Sequence, residues 1–563
     1  MLLSIRTVLA FLVPVALLGA SLLAAADDAK YDPVAEADKA LGKMSVKPGD
    51  SPQLGKSCYR NNVSGAKNIP TEWDVKSGKN VKWTARLGSQ TYPSPVIANG
   101  KVFVGTNNAS GYLKRYPNKI DLGVLLCFDE ATGKFLWQHS NEKLPTGRVN
   151  DWEQLGICSS PYVEGQRLWY VTNRDEITCL DIEGFLDGEN DGPFKEEPNQ
   201  NKDEADIVWK VDMMGKLGAS PHNACSCSVT AFGDTLFVCT SNGVDEAHKV
   251  IAQPNAPSFL AMNKNTGAVL WSDKSPGSNI MHGQWSSPAF GVLGGVEQVL
   301  FAGGDGWLYS FDPKGDGGKS KLLWKFDCNP KESKYMLERA TRNPLIATPV
   351  IYDGLVYLGV GEDPEHGEGN AHLWCIDPTK RGDVSPTQVF NKADPKTPIP
   401  YKRLQACETD KGDFERPNEN SALVWHYAGN NPKKFEETMH RTISSSVIKD
   451  NLLFITDESG LIHCLDAKTG KAHWTHDMLA SSWSTPLIAG DNVYIANLDG
   501  GIFIFKASPK KELVSELNME IPVYTTPVVA NGTLYIATFN TLFAIAEGAS
   551  TKPAGKTAGA GGQ

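Results

Sequence analysis

The chain has 563 residues, of which 41% are hydrophobic and 21% are charged, so it can bury a large core. It carries 55 Lys and Arg residues against 65 Asp and Glu residues, which gives a formal net charge of -10. An acidic balance without a basic cluster argues against a nucleic-acid partner.

Residues 1–26 have the pattern of a secretory signal peptide. Arg6 is their one charged residue, an apolar stretch follows from Val8 to Leu23, and the segment ends in three alanines. Pro14 and the small residues favour cleavage after Ala26 over retention as a membrane anchor. We therefore expect an exported protein, periplasmic or extracellular, without a transmembrane segment after cleavage. Since no Cys lies near the cleavage site, we expect no lipid anchor.

Two further segments lack a regular pattern. Residues 27–79 are polar and are expected to form an extended N-terminal arm packed along the main domain. Residues 549–563 are rich in Gly, Ala and Lys and are expected to form a disordered tail. Between them, residues 80–548 repeat one unit.

The repeated unit is clearest from Ser446 to Trp474. It holds apolar runs at Leu452–Thr456 and Leu461–Leu465, turn residues between the runs, and a last strand that follows Thr469-Gly470. Runs of about five residues with turn chemistry and no helical period predict a four-stranded antiparallel meander.

Eight copies of this unit can be counted from its first strand. The copies begin at Ser94-Pro95, Ser160-Pro161, Cys227-Ser228, Ser287-Pro288, Thr348-Pro349, Ser445-Ser446, Thr485-Pro486 and Thr526-Pro527. The shortest spacing, Pro486 to Pro527, is 41 residues, within the range of a propeller blade. The last unit has three strands, and the strand Asn80–Leu87 precedes any first strand of its own. The sequence therefore predicts an all-β, eight-bladed antiparallel β-propeller in which the N-terminal strand closes the last blade.

The turn that closes the unit resembles that of a known family. Its pattern, hydrophobic-Asp/Asn-x-x-Thr-Gly-x-x-x-Trp, occurs at Phe128–Trp137, Met262–Trp271 and Leu465–Trp474. It is similar to the repeat of the pyrroloquinoline-quinone (PQQ) type eight-bladed propellers. These include quinoprotein alcohol dehydrogenases and the propeller lipoprotein of the bacterial outer-membrane assembly machinery. Within the group, the chain most resembles secreted planctomycete propellers. Enzymes and scaffolds share this repeat, so the resemblance specifies the fold more narrowly than the function.

The resemblance implies two functions. The preferred one is an exported, non-catalytic scaffold that binds a small-molecule, glycan or protein ligand on its top face. The alternative is a periplasmic PQQ-dependent oxidoreductase that binds PQQ with calcium and oxidises an alcohol or sugar. In those enzymes a Glu and an Asn hold calcium and an Asp acts as base, but no motif assigns these roles to positions here. The missing CxxCH haem motif and adjacent-Cys pair favour the scaffold.

The positions of the cysteines divide them into four that are expected to pack in the core and one pair that could be redox-active. Four cysteines, Cys127, Cys179, Cys375 and Cys464, occupy equivalent third-strand positions and are interpreted as small core residues. The quinoprotein enzymes place a disulfide between adjacent cysteines over the cofactor. Here Ser226 separates Cys225 from Cys227, which leaves the disulfide status of this pair open.

The lengths of the connecting loops indicate that the top face of the propeller carries the ligand site. From the fourth-strand Trp to the equivalent position of the next first strand, five consecutive connections span 17 to 25 residues, against 12 at three other blades. Aromatic, charged and amide residues end these connections and are predicted to line a site for a flat polar or anionic ligand. The candidates are Asp151, Trp152, Glu153, His222, Asn223, His282, Gln284, Trp285, Arg339, Arg342, Asn343, His440, Arg441, Trp483 and Tyr524. For any single residue, loop packing or a salt bridge is the alternative.

Two weaker patterns suggest metal ligands. Asp187, Glu189 and Asp191 alternate as at the start of a calcium loop, but the twelfth position is Pro198, which favours a solvated acidic loop. The stretch Glu365-His366-Gly367-Glu368 offers metal-capable groups without an established spacing.

Overall fold

The computed structural model describes residues 30–329, 343–365, 369–402 and 404–551. The predicted signal peptide and residues 552–563 of the predicted tail lie outside these ranges. Contacts divide the chain into Met1–Tyr31 and Asp32–Gln563, and the fold below belongs to the second unit. None of the helices in the described ranges is long and apolar enough to cross a membrane.

The described residues form an eight-bladed antiparallel β-propeller, which confirms the predicted fold. The strands are, in blade 1, Val96–Ala98, Lys101–Asn107, Leu122–Asp129 and Phe135–Glu142; in blade 2, Tyr162–Glu164, Arg167–Val171, Glu176–Asp181 and Ile207–Asp212; in blade 3, Thr230–Phe232, Thr235–Cys239, Phe259–Asn263 and Val269–Asp273; in blade 4, Ala289–Leu293, Val296–Ala302, Trp307–Phe311 and Leu322–Asp327; in blade 5, Val350–Tyr352, Leu355–Val360, His372–Ile376 and Leu423–Tyr427; in blade 6, Val447–Lys449, Leu452–Thr456, Leu461–Asp466 and Ala472–Asp477; in blade 7, Leu487–Ala489, Asn492–Ala496, Gly501–Lys506 and Leu513–Asn518; and in blade 8, Val528–Ala530, Thr533–Ala537, Thr541–Ser550 and, from the N-terminal side, Lys79–Arg86.

The N-terminal strand closes the ring, as predicted. Lys79–Arg86 pairs antiparallel with Thr541–Ser550, and Trp83 lies opposite Ala544. The last blade thus receives its outer strand from the beginning of the repeat region, so the ring has no open edge.

A few elements lie outside the four-stranded pattern. Gly382–Asp383 adds a parallel strand to blade 4, and Val63–Ser64 adds one to blade 7. A hairpin of Thr387–Asn391 and Asp413–Pro417 is inserted between the third and fourth strands of blade 5. The described helices are the α-helices Pro33–Leu41 and Met213–Leu217 and the short 3₁₀ helices Asn108–Ser110, Gly147–Val149, Gly184–Leu186, Gly277–Asn279, Leu404–Ala406, Thr409–Lys411 and Phe435–Glu437.

In six of the eight blades the repeated Trp donates a hydrogen bond to the next blade, whereas Trp324 of blade 4 donates to Gln298 of its own blade. The indole N–H of Trp137 donates to the carbonyl of Ile182 at 3.0 Å, and that of Trp425 donates to the carbonyl of Ala467 at 2.9 Å. Each accepting carbonyl follows the third strand of the next blade. Trp83, Trp209, Trp271 and Trp474 make the corresponding bond to Glu130, Lys264, Pro313 and Ser508. A buried indole needs such a partner, so the motif is explained by contact between blades.

Hydroxyl groups join the blades around the central channel. The Ser or Thr of a first strand accepts a hydrogen bond from the corresponding backbone N–H of the preceding blade. Such bonds run from Ser160 to Ser228, Ser228 to Ser287, Thr348 to Ser445, Ser445 to Thr485, Thr485 to Thr526 and Thr526 to Ser94, at 2.9 to 3.2 Å. The bond from Thr526 returns to blade 1, and the two remaining boundaries are joined by Ser160 Oγ and Ser286 Oγ, which donate to the carbonyls of Ser94 and Ala347.

The N-terminal arm closes the far end of this channel. It passes the first strands in order, beginning with the paired backbone bonds of Ser51 and Ile97 in blade 1. It then contacts blades 2 to 7 through bonds between Val163 and Pro52, Thr230 and Gln53, Phe290 and Cys58, Ile351 and Tyr59, Ile448 and Asn61, and Ile488 and Asn62. The side chain of Asn62 also donates to the carbonyl of Pro527 in blade 8 at 3.2 Å. The channel is therefore capped at its base.

The cysteines expected in the core are buried there. Cys127, Cys179, Cys375 and Cys464 all have an exposed fraction of 1% or less. Cys225 and Cys227 are also buried, and both are free thiols.

Candidate ligand pocket

The top face opens into a cavity of about 430 Å³ at the mouth of the channel. Its floor takes one residue from each blade, two positions before the Ser or Thr of the hydroxyl ring: Tyr92, Cys158, Ser226, Trp285, Ile346, Ile443, Trp483 and Tyr524. Side chains two residues apart on an extended chain point to the same side. The pocket floor is therefore a direct consequence of the repeat.

One half of the floor is aromatic. The ring centroids of Trp483 and Tyr524 lie 4.9 Å apart in an edge-to-face arrangement, and Tyr92 lies 5.3 Å from Tyr524. Phe539 stacks on Tyr524 at 4.4 Å. Burial raises the pKa of Tyr92, so its hydroxyl stays protonated at physiological pH. Blades 7, 8 and 1 together present a packed aromatic surface.

Trp285 stands in blade 4, opposite Tyr524 of blade 8 in the order of the ring. Its indole N–H donates to the carbonyl of His222 at 3.1 Å, and its carbonyl accepts from Ser226 Oγ at 2.9 Å. Trp152 lines the cavity wall, with the guanidinium of Arg148 at 3.9 Å from its ring centroid. Aromatic faces thus lie on more than one side of the cavity.

One wall is polar and acidic. Asn223 Nδ2 donates to Glu365 Oε1 at 3.2 Å, and the carbonyl of Asp363 accepts from Arg441 at 3.2 Å. Asp363 Oδ2 lies 3.1 Å from Nδ1 of His282, and both side chains are fully buried. In the described lining, the carboxylates of Asp363 and Glu365 are the formally charged groups.

A smaller cavity of about 160 Å³ continues along the channel beneath the floor. Its base is formed by the arm, where buried Arg60 donates to the carbonyls of Pro288 and Ser228 at 2.7 Å and of Leu54 at 3.0 Å. Burial lowers the pKa of Arg60 to about 10, which leaves the guanidinium charged at neutral pH.

The structure brings six of the sequence-predicted site residues to this pocket. These are Trp152, Asn223, His282, Trp285, Trp483 and Tyr524. They come from the connections before blades 2, 3, 4, 7 and 8, which shows that distant segments of the chain converge at the channel mouth.

Other predicted residues lie behind or away from the pocket surface. His222 and Gln284 are buried behind it, and Gln284 accepts the backbone N–H of Gly304 at 3.3 Å. Asp151 pairs with Lys143, and Arg441 lies 3.3 Å from Glu458. Glu153, Asn343 and His440 do not line the cavity. Arg339 and Arg342 lie outside the described residues.

Several lining residues were not among the sequence candidates: Gln90, Tyr92, Leu155, Cys158, Ala224, Ser226, Ile346, Asp363, Pro364, Glu365 as a lining group and Ile443. The signal for the floor residues is their fixed position before the first-strand Ser or Thr. No comparable pattern marks Asp363 and Glu365, because they belong to one long turn of blade 5.

The predicted acidic loop does not gather its carboxylates around one point. Asp191 pairs with Arg167 at 2.8 Å, and Asp187 accepts the backbone N–H of Glu189 at 2.9 Å. His366 and Glu368 lie outside the described residues.

A different group meets the spacing of a metal site. The ligand atoms of His222, His248 and His282 lie within 4.8 Å of one another. Burial and the two neighbouring imidazoles lower the pKa of His222 to about 3, so its ring is neutral at physiological pH. His222 and His282 were predicted as ligand contacts, whereas His248 was not predicted.

Residues 411–508 match the family model described as "Outer membrane protein assembly factor BamB". The resemblance to PQQ-repeat propellers is confirmed. Among solved structures, BamB from Moraxella catarrhalis is 13% identical, with a TM-score of 0.46, over 84% of this chain and 98% of that chain. Quinohemoprotein alcohol dehydrogenase from Comamonas testosteroni is 16% identical, with a TM-score of 0.42, over 91% of this chain and 84% of that chain. The computationally designed Ika8 protein is 10% identical, with a TM-score of 0.46, over 83% of this chain and 99% of that chain. No curated protein matches this chain in sequence.

Proposed function

We propose that this PQQ-like propeller is an exported, non-catalytic binding scaffold that takes a neutral, polyhydroxylated ligand such as a glycan unit into its top-face pocket. The pocket floor carries the proposal: one residue per blade, with aromatic rings from Tyr92, Trp285, Trp483 and Tyr524. Flat aromatic faces with amide and carboxylate groups at the edge suit a ring compound that has an apolar face and hydroxyl groups.

Size and charge support this choice of ligand. A volume of about 430 Å³ falls within the range of small-molecule pockets, roughly 300–1,000 Å³, which favours one or two sugar rings over a protein segment. The described lining contributes carboxylates and no Lys or Arg, so it favours a neutral ligand over an anion.

Export is part of the same proposal. It rests on the signal-peptide pattern of residues 1–26 and on the resemblance to propellers of the bacterial envelope. N-terminal sequencing of the protein recovered outside the cytoplasm should begin at Asp27, and a mature protein that retained Met1 would contradict it.

One observation favours the second candidate, a PQQ-dependent oxidoreductase. The polar wall brings Asn223, Asp363 and Glu365 together, the residue types that hold calcium and act as base in quinoprotein enzymes. If PQQ were bound, it would supply the two-electron oxidation. These residues would face it with oxygen ligands suited to calcium. The buried contact of Asp363 with His282 and the acidic wall weigh against the tricarboxylate cofactor.

The decisive experiment is a parallel titration of the mature protein. Neutral oligosaccharides and PQQ with calcium are added separately, and binding is followed by calorimetry and, for PQQ, by absorbance. Glycan binding that Trp483→Ala weakens by about tenfold or more, equal to about 1.4 kcal/mol, would support the scaffold. Phe435→Ala is the matched control, because Phe435 is an exposed aromatic residue outside the pocket.

The remaining outcomes separate the two candidates. Saturable PQQ binding with a spectral change, in the absence of glycan binding, would replace the scaffold with the oxidoreductase. Glycan affinity unchanged in Trp483→Ala would place the binding site outside this pocket.

A further inference from the structure

Three histidines from three separate connections meet beside the pocket. His222 precedes blade 3, His248 lies in the turn between the second and third strands of blade 3, and His282 precedes blade 4. Their ring centroids form a nearly equilateral triangle with sides of 4.6, 4.7 and 4.7 Å. His222 and His282 are 1% or less exposed. These histidines are separate from the acidic loop that the sequence suggested.

Backbone contacts hold the triangle together. The N–H of Val244 donates to the carbonyl of His282 at 2.8 Å, and the carbonyl of Val244 accepts from Nδ1 of His222 at 2.9 Å. A Cβ on Gly243 would lie 2.6 Å from both the Cβ of His222 and the carbonyl oxygen of His282. The close approach of the two histidines therefore requires glycine at position 243.

The third histidine is positioned by a short turn. Asp245 Oδ1 accepts the backbone N–H of Lys249 at 2.8 Å, and the N–H of His248 donates to the carbonyl of Asp245 at 3.0 Å. His248 has a φ of 55°, a left-handed conformation that is uncommon for residues other than glycine. Such backbone strain in a turn is often associated with a functional position.

A hydrogen bond on His222 and a close carboxylate contact on His282 orient these two imidazoles as in metal sites. Since Nδ1–H of His222 donates to a carbonyl, its lone pair is on Nε2, which is buried and makes no hydrogen bond within the described part of the chain. Nδ1 of His282 lies 3.1 Å from Oδ2 of Asp363, and we therefore assign Nε2, on the other side of the ring, to the metal. Metal-binding histidines commonly donate the second ring N–H to a carbonyl or carboxylate in this way.

We propose that His222, His248 and His282 form a binding site for a divalent transition metal, Zn²⁺ foremost, with Asp363 as the positioning residue of His282. Three imidazole nitrogens favour zinc, cobalt, nickel or copper over calcium and magnesium, which prefer oxygen ligands. In zinc sites the histidine nitrogens lie about 2.0–2.1 Å from the ion. The ligand atoms of the three histidines already lie within 4.8 Å of one another, so small rotations of the side chains would bring all three to that distance from one ion.

The histidine cluster borders the ligand pocket. His282 lines that cavity, and Glu365 Oε2 lies 3.6 Å from its Nε2 on the same side. Zinc sites with three protein ligands commonly take water or a substrate group as the fourth ligand, so a metal here would border the bound ligand. The metal proposal does not depend on the proposed glycan binding, because it rests on the histidine geometry alone.

Co²⁺ is the probe for the test, because its visible spectrum reports coordination geometry. The mature protein, prepared without a histidine tag and dialysed against a chelator, is titrated with Co²⁺ and then with competing Zn²⁺. We expect a single equivalent of Co²⁺ to give the visible bands of a four-coordinate site and Zn²⁺ to abolish them. Zn²⁺ should also raise the melting temperature, since it binds the folded state.

Variants separate metal binding from packing of the rings. His248→Ala changes the most exposed of the three histidines and should weaken Co²⁺ binding by about 100-fold or more. Asp363→Asn should weaken it by about 10- to 100-fold. His473→Ala, on the exposed side of blade 6, is the matched control and should bind as the parent does.

The proposal would be overturned if Co²⁺ bound in less than one equivalent, or if His248→Ala retained the same affinity and spectrum. Melting without metal shows whether each variant is folded. A substitution of buried His222, such as His222→Gln, could unfold the protein. His248→Ala would still decide the question, because His248 lies in a surface turn.

Discussion

Glu458 shows how burial of a single carboxyl group can set the pH dependence of this fold. Its side chain is almost fully buried, and it contacts Arg441 at 3.3 Å. Burial raises the pKa of Glu458 to about 8, the charge of Arg441 lowers it, and Asp363 and Asp457 raise it further. Desolvation thus outweighs the ion pair, as is common for buried charges.

The consequence is a loss of stability as the pH rises. The pKa of Glu458 in the folded state lies above the ordinary value of 4.5. The protonated carboxyl therefore contributes its full stabilisation below pH 4.5, and this contribution is lost as the pH rises through about 8. The loss is at most about 5 kcal/mol, since one pKa unit corresponds to about 1.4 kcal/mol.

Glu458→Gln should remove this part of the pH dependence. We expect its melting temperature, relative to the parent, to rise steadily from about pH 5 to about pH 8.5. Glu419→Gln, at an exposed position, is the control and should follow the parent. Parallel curves for Glu458→Gln and the parent would contradict the effect.

At the scale of the blade, the Thr-Gly turn and the Trp act on each other across a blade boundary. A Cβ on Gly470 would lie 2.5 Å from the indole ring of Trp425 in the preceding blade. The motif that marks one blade is therefore shaped by contact with another, which is why Gly and Trp recur together.

This contact predicts unequal effects of two glycine substitutions. Gly470 has a φ of 70° and Gly532 a φ of 73°, but a Cβ on Gly532 would have no neighbour within 4 Å. Gly532→Ala should cost about 1–2 kcal/mol from the backbone alone. Gly470→Ala should cost a further 1–3 kcal/mol, roughly, from overpacking against the indole. Equal melting temperatures for the two variants would argue against the blade contact.

For the whole molecule, the N-terminal arm forms the cap that the eight blades do not provide at the base of the channel. Arg60 is a buried cation of the arm, bonded to carbonyls of blades 3 and 4 and of the arm itself. Local strand pairing cannot close a central channel, so a segment from outside the repeat fills it.

Arg60→Ala should therefore destabilise the entire ring. Two buried carbonyls and one partly buried carbonyl lose their donor, and we expect a loss of about 2–5 kcal/mol. Arg381→Ala is a matched control, because exposed Arg381 also donates to carbonyls but only in its own turn. Unfolding should remain one cooperative transition, and two separated transitions would contradict a closed ring.

The blade count was predictable because each unit is specified by local turn chemistry and alternation. Hydroxyl residues such as Ser94 and Thr485 start the first strands, and Trp474 ends a fourth strand, so the copies can be aligned without knowing their neighbours. Closure was also predictable, since a three-stranded last unit and an unpaired strand at residues 80–87 complement each other.

The candidate site was predictable only in part. Trp285, Trp483 and Tyr524 could be found because they end the connections between blades, whereas Tyr92 holds the same position before blade 1 and was missed. Its equivalence to the others depends on the side-chain alternation before Ser94. The aligned repeats already placed Tyr92 at the position of Trp483 and Tyr524. Only the structure shows that residues at this position line the mouth of the channel.

The sequence alone determined the eight blades, their order and the strand that closes them, because those features arise from short-range patterns. The tertiary structure decided which side chains meet. His222, His248 and His282 are brought together by a turn and two connections, and Asp363 reaches them from blade 5. Contacts between residues so far apart in the chain depend on loop conformations and on ring closure, for which a local pattern carries no signal.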